Sequence, residues 1–451
     1  MRFFTRLLAL VAALTFAAQP VAAQSILRDA ETEKLLQDMV DPLVEAAGLA
    51  KGNVDVVMIN DPSMNAFVAG GQRIYIHSGL INAADNANQV QGVLAHELGH
   101  ITGGHIIRFN EGMAGASRIS ILSMLLGIGA ALAGAGEAGM GLMALGQQAA
   151  MGKFLAYSRT EESSADAASV QYLSKAGITG KGSIGFFKKL QNYYFRYGYD
   201  QSDEAGFAQT HPMPGDRIER LEADFSKDPA WDKPPDPDIE RRYQRIKAKL
   251  YGYIAKPADT LRAYPEYMTD APARYARAYA YHKEGLMDKA VTETEALLAS
   301  EPDNPYFLEL KGQVLLESGK PRDAIEPLRR ATALSNNQPL IASTFGHALI
   351  ATEDSQYFDE AEQILRTAVQ RDRENPFAWY QLGIIYAAKG DMPRARLASA
   401  EQQVMSGRMA EALQSAQVAE SALPTGTPDW LRAQDITMQA RAALERDRKR
   451  K

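Results

Sequence analysis

The sequence predicts a mainly α-helical protein with one small β-sheet in its N-terminal half and a stack of helical hairpins at its C-terminal end. Three observations carry this. Val54–Ile59 and Arg73–His77 alternate apolar and polar side chains, are rich in β-branched residues and are bounded by turn formers, so each reads as a strand. Between Asn86 and Phe109 there is no proline, and Val90, Val93, Leu94, Leu98 and Ile101 recur at helical spacing. From about Ala271 onward, Gly, Ala and Pro return at fixed phase with a period near 34 residues.

A chain of 451 residues has room for two or three domains, each with its own core. The expected boundaries are 1–23, 24–227, 228–265 and 266–451. The formal charge of −6 argues against a general affinity for nucleic acid. With no cysteine, disulfides and thiolate metal sites are excluded. Arg2 and Arg6 precede the apolar run Leu7–Ala18 and then P-V-A-A-Q, the layout of a secretory signal cut after Ala23. The run is short for a bilayer span. The mature chain is therefore expected to be exported.

Taken in order, Ser25–Ala47 reads as a first amphipathic helix, with Leu27, Leu35, Leu36, Met39, Leu43 and Val44 on one face. The strand Val54–Ile59 follows. N-D-P-S-M reads as a turn, then come Asn65–Ala69, the turn Gly70-Gly71 and the strand Arg73–His77. Ser78-Gly79-Leu80 ends that strand and leads into the helix of residues 86–109.

This helix carries H-E-x-x-H, as His96, Glu97 and His100. Positions i and i+4 share a helix face, so both imidazoles can reach one metal ion. Glu97 then stands where a general base toward a bound water is needed. Neutral imidazole suits zinc, and a catalytic zinc takes three protein ligands and keeps one position open. Gly99 and Gly103 weaken the helix but allow a neighbouring element to come close. If such a site cleaves peptides, the strand pair upstream has two readings. It is an ordinary hairpin packed on the helix, or its edge holds an extended substrate by strand addition.

Ile119–Gly136 is apolar and uncharged up to Glu137, and 119–151 as a whole is rich in Gly and Ala. It reads as a pair of helices or a hydrophobic loop beside the site, able to touch a membrane surface or unfolded protein, with a plain core hairpin as the simpler reading.

In Y-S-R-T-E-E-S-S-A-D-A-A, Thr160 is expected to cap a helix that ends before Gly177. Glu162 and Asp166 fall one turn apart on one face. A carboxylate completes His-His-Glu zinc sites, so Glu162 is assigned as third ligand. Asp166 would accept the second ring N–H of a ligand His. Ala165, Ala167 and Ala168 let the two helices approach. A His six residues after His100 would be the other option. That place is Ile106, and His105 is one short, so His105 is read as structural, as are His77, His282 and His347.

The set H-E-L-G-H, then S-R-x-x-E-x-x-A-D, with N-A-F-x-x-G-G-x-x-I upstream, resembles the HtpX-like and CAAX-prenyl-protease family of zinc metallopeptidases over roughly residues 30–225. With a signal segment and a repeat tail, it is most similar to the BepA-type periplasmic branch of that family. The resemblance implies a gluzincin-like metallopeptidase domain holding one Zn2+ per chain. It also implies His96, His100 and Glu162 as ligands and Glu97 as catalytic base. T-H-P-M-P-G-D-R matches the family's T-H-P-x-x-x-x-R, which brings in His211 and Arg217. His211, on a loop stiffened by Pro212 and Pro214, could steady the oxyanion or bind zinc itself and hold the enzyme shut. Arg217 would pair with an acid and fix the loop.

Asp228–Pro237 reads as a stiff linker and Ile239–Leu250 as a connecting helix. Beyond it, Gly312, Gly346 and Gly383 are spaced 34 and 37, and Ala290, Ala324, Ala361 and Ala395 are spaced 34, 37 and 34. Pro305, Pro339 and Pro376 keep the same step. This is the tetratricopeptide pattern: Gly where paired helices cross, Ala for close packing, Pro expected to end each unit. The three extra residues are expected in the turn at 352–357. Two more helices, Met409–Ala422 and Asp429–Arg446, should cap the stack before a solvated basic tail. Such stacks bind protein partners. The family resemblance implies a zinc endopeptidase acting on misassembled outer-membrane or periplasmic proteins, with the repeats recruiting clients or assembly machinery. A chaperone or assembly scaffold with a latent zinc site is the alternative.

Overall fold

The computed structural model describes residues 25–105, 122, 136–197, 211 and 215–450. The signal segment, its cleavage site and nearly all of 119–136 lie outside the described residues. Two compact units emerge. One runs from Leu35 to Glu240 and includes the residues up to Leu27; the other comprises Arg28–Lys34 and everything from Arg241 onward.

In the first unit, β1 (Ser25–Leu27), β2 (Asp55–Asn60), β3 (Ala66–Ala69) and β4 (Arg73–His77) form one sheet in the order β1-β2-β4-β3. β1 was expected to begin the first helix. Its three residues instead pair antiparallel with Asn60, Ile59 and Met58, and the helix α1 (Ala30–Ala46) starts only after Asp29, whose carboxylate accepts from the Thr32 N–H at 2.8 Å. That is the bond of an N-cap. β2 and β4 are parallel, while β3 pairs antiparallel with β4 and forms an edge. Ser78–Ala83, expected as a simple exit from β4, is a short helix, α2.

The helix α3 (Ala87–Gly103) is capped by Asn86, which accepts from the Gln89 N–H, and ends at Gly104 in the left-handed region with φ 66°. Every residue from Ala87 to Gly99 is buried. The reason lies in its neighbours: α3 packs against β3 and β4, against α4 (Gly136–Ala176), and against α5 (Lys181–Tyr197). A Cβ on Gly99 would stand 2.8 Å from the Cα of Ala165, so α3 and α4 meet backbone to backbone. Thr160 does not cap a helix, contrary to expectation. It lies within α4, which contains no proline to stop it upstream, and α4 ends at Ala176 before Gly177 with φ 67°. α6 (Gly215–Phe225) follows. Among the described residues no helix is long and apolar enough to cross a membrane.

After the turns at 226–234, Pro237 opens α7 (Pro237–Ile254), and α8 (Pro257–Ala263) follows. The repeats then run in antiparallel pairs: α9 (Ala271–Lys283) with α10 (Met287–Ser300), α11 (Pro305–Glu317) with α12 (Pro321–Leu334), α13 (Pro339–Ala351) with α14 (Phe358–Arg371), and α15 (Pro376–Ala388) with α16 (Met392–Met405). The last pair is α17 (Met409–Ala422) with α18 (Pro428–Arg450). Most of the basic tail is thus helical, continuing α18. A Cβ on Gly312 or Gly346 would lie 2.4 or 2.6 Å from the Cγ of Leu328 or Leu365, so each glycine makes room for a leucine of the next helix. Pro305, Pro339 and Pro376 begin the first helix of a pair rather than ending a unit. A first-turn N–H has no partner within the helix, so its loss there costs little. The extra residues of the third pair form a 3-10 turn at Ser355–Tyr357.

Within this unit, buried Glu31 accepts from Arg245 Nε at 2.6 Å and from the Tyr275 hydroxyl at 2.8 Å, and Asp29 pairs with Lys249. None of this ionic cluster was read from the sequence.

Candidate metal centre

Helix α3 carries His96 and His100 one turn apart, and α4 brings Glu162 against them. Gly99 and Ala165 permit the approach. The Nε2 atoms of His96 and His100 are 3.1 Å apart, and each stands 3.3 Å from an oxygen of Glu162. His211 Nδ1 lies 2.8 Å from Glu162 Oε1 and 3.3 Å from His96 Nε2. One donor atom from each of the four residues falls within 4.8 Å of all the others. Tetrahedral zinc with bonds of about 2.0–2.1 Å has ligand–ligand edges of about 3.3 Å. The donor spacing and donor chemistry therefore fit a single divalent ion.

Around these atoms the cluster is ordered by charge. Asp166 Oδ1 lies 3.0 Å from His96 Nδ1, on the side of the ring away from Glu162. Arg217, from α6, donates to both oxygens of Asp166 at 2.6 and 2.7 Å, and its Nη1 is 2.9 Å from Glu162 Oε2. Its guanidinium also lies over the Phe187 ring, 5.4 Å from the centroid. Glu97 is 1% exposed, with Oε1 3.5 Å from His211 Nε2.

Burial alone would push the His96 imidazole down, but the Asp166 and Glu162 carboxylates outweigh it and hold its pKa up at about 9. That proton is the charge a bound cation would displace. Burial would likewise raise Glu162, yet His211, His100 and His96 hold it far below the usual carboxylate range. At Glu97 burial outweighs the opposing charges of His100, His96 and Arg217 and pushes its carboxyl up. A raised carboxyl of this kind suits proton transfer near neutral pH. Burial also lowers His100 and His211, favouring neutral imidazoles with a lone pair to give.

All seven residues singled out from the sequence, His96, Glu97, His100, Glu162, Asp166, His211 and Arg217, are thus neighbours in the fold. His105, read as structural, lies beside the cluster. His105 Nδ1 lies 2.9 Å from His100 Nδ1, and its Nε2 lies 2.6 Å from Glu161. The signal was present in G-G-H: a left-handed glycine after the helix turns the chain back on itself. His77 is held by Ser63 and Asp61 in the sheet region, and His282 pairs with Glu317 among the repeats.

A buried helix presenting two imidazoles, a carboxylate from a later helix and an adjacent buried glutamate fit the metal site of a metallopeptidase. Residues 30–224 match peptidase family M48, and residues 275–339 and 346–404 match the tetratricopeptide repeat. The chain therefore carries an M48 metallopeptidase domain, of a family that uses a divalent metal, followed by tetratricopeptide repeats. It is 25% identical over 411 residues to the beta-barrel assembly-enhancing protease of Escherichia coli K12, covering 90% of this chain and 82% of that one. It is 24% identical over 440 residues to the protein of the same name in Yersinia pestis, covering 95% and 87%. The metalloprotease YcaL of Escherichia coli K12 is 30% identical over 170 residues, covering 38% of this chain and 60% of that one.

Proposed function

We propose that the chain is a zinc endopeptidase in which His96, His100 and Glu162 hold the ion and Glu97 moves the protons. The convergence of these three side chains beside a buried Glu97 is the observation that carries the reading. Zinc, when bound, lowers the pKa of a coordinated water to about 7 and polarises the scissile carbonyl. The chain's own residues do the rest. Glu97 takes a proton on its carboxylate as the peptide bond is attacked and returns it to the leaving amine. Its raised pKa keeps that proton transferable. Asp166, gripped by Arg217, orients the His96 ring and keeps its proton on Nδ1, so that Nε2 faces the cluster. The edge strand β3, antiparallel to β4, offers ladder positions to an extended substrate beside α3.

His211 takes the fourth corner of the donor set in this reading, which supports the shut-enzyme role over the oxyanion role. Substrate entry then requires the His211 side chain to leave that corner.

By analogy with the beta-barrel assembly-enhancing proteases, the substrates are outer-membrane or periplasmic proteins that fail to assemble. The repeats recruit them or the assembly machinery, and the chain works in the periplasm. Glu97→Gln tests the reading. Cleavage of an unfolded outer-membrane β-barrel protein should fall by about 10²–10⁴-fold, with bound zinc unchanged. Undiminished cleavage would refute the role of Glu97. A scaffold with a latent site is the second reading, favoured by the closed fourth corner. It becomes the main role if Glu97→Gln supports client assembly in cells as well as wild type does.

A further inference from the structure

The geometry points to His105 as the positioning residue that fixes the tautomer and orientation of His100, with Glu161 behind it. This inference rests on the metal-site reading proposed above. It goes beyond that reading because neither ring nitrogen of His105 belongs to the donor cluster.

The local sequence builds the contact. Gly104, at φ 66°, donates its N–H to the carbonyls of His100 and Ile101 and ends α3 there. The left-handed step turns residue 105 back along the helix it has just left. Gly103 leaves the space the returning ring fills: a Cβ at position 103 would stand 2.2 Å from His105 Nε2. The imidazole is 6% exposed and meets the His100 ring edge-on, with centroids 4.9 Å apart. Its Nδ1 comes within 2.9 Å of His100 Nδ1, and its Nε2 within 2.6 Å of Glu161 Oε2.

One assignment of protons gives every nitrogen a role. The Glu161 carboxylate accepts from His105 Nε2–H. His105 Nδ1 is then a lone pair, and it accepts from His100 Nδ1–H. His100 Nε2 is left unprotonated, and that is the atom facing Glu162 and His96. The opposite assignment would put the His100 proton on Nε2, where it would block a cation. His96 receives the same service directly from a carboxylate, Asp166. The two imidazoles of the motif are thus held by different means, one by a carboxylate and the other by a neutral imidazole backed by one. Partners of this kind typically govern metal affinity by about 10–100-fold.

The test is the zinc dissociation constant of the full-length protein, measured by competition with a chromogenic chelator. It is paired with circular dichroism and thermal unfolding of the metal-free forms. His105→Ala is expected to bind zinc about 10–100-fold more weakly than wild type while the metal-free fold is kept. His105→Leu fills the same space without an acceptor, should weaken binding equally, and carries the test if the alanine variant does not fold. His105→Asn places a carbonyl oxygen where Nδ1 stands and should restore binding to within a few-fold of wild type. A purely structural role for the ring would not predict that rescue. Wild-type affinity in the alanine and leucine variants, or an asparagine variant as weak as they are, would overturn the inference. If Glu162→Gln loses zinc while His105→Ala and His105→Leu keep it, the metal site stands and only the role of His105 falls. If wild type binds no zinc, both fall together.

Discussion

His211 Nδ1 stands 2.8 Å from Glu162 Oε1, closer to that carboxylate than either histidine of the H-E-x-x-H helix. The loop histidine therefore stands at the fourth corner of the donor set, beside the assigned ligand. In a three-ligand zinc enzyme that corner belongs to water and substrate.

The expected consequence is that His211→Ala cleaves faster than wild type, with zinc still bound. Initial rates on an unfolded outer-membrane protein, with zinc content measured on the same sample, check it. A fall of about 10²–10³-fold would instead assign His211 to oxyanion stabilisation.

A second expectation concerns the meeting of α3 and α4. A Cβ on Gly99 would lie 2.7 Å from the Ala165 carbonyl oxygen and 2.8 Å from its Cα, and backbone atoms cannot step aside as a flexible side chain can. Gly99→Ala should therefore separate His96 and His100 from Glu162. We expect a stability loss of about 1–3 kcal/mol and weaker zinc binding, read by urea denaturation and chelator competition. Unchanged values in both would mean that the helices do not meet at Gly99.

The repeat-containing unit carries its own pH signature. Burial pushes the Glu309 carboxyl up to about 8, and nearby Lys249 only partly offsets this. The folded state then keeps a proton that the unfolded chain has released above about pH 4.5. Stability from this group is full at low pH and is lost as pH rises toward 8, with a slope of up to about 1.4 kcal/mol per pH unit. Glu309→Gln should flatten that decline and raise the melting temperature at pH 8 more than at pH 5. Equal shifts at both pH values would contradict it.

The sequence disclosed what is local or periodic. His96, Glu97 and His100 declare themselves because one helical turn sets their geometry. Glu162 and Asp166 follow once a third ligand and its support are required, and the 34-residue step of Gly312, Gly346 and their neighbours fixes the repeat class. Features decided by tertiary partners stayed hidden. Ser25–Leu27 is a strand only because Met58–Asn60 pairs with it. Thr160 fails to cap because α4 already runs through it. Glu31 meets Arg245 and Tyr275 across 214 and 244 residues of chain, which no local pattern announces. The nearness of His105 to His100 is hidden from spacing along a continuing helix, because Gly104 ends that helix and changes the direction of approach.

The central claim is that His96, His100 and Glu162 close on one cation. The most direct measurement is the metal content of the purified protein by elemental mass spectrometry, wild type against Glu162→Gln. The account predicts close to one zinc per chain in the first and a large loss in the second. Equal zinc in both would remove Glu162 from the site and contradict the account.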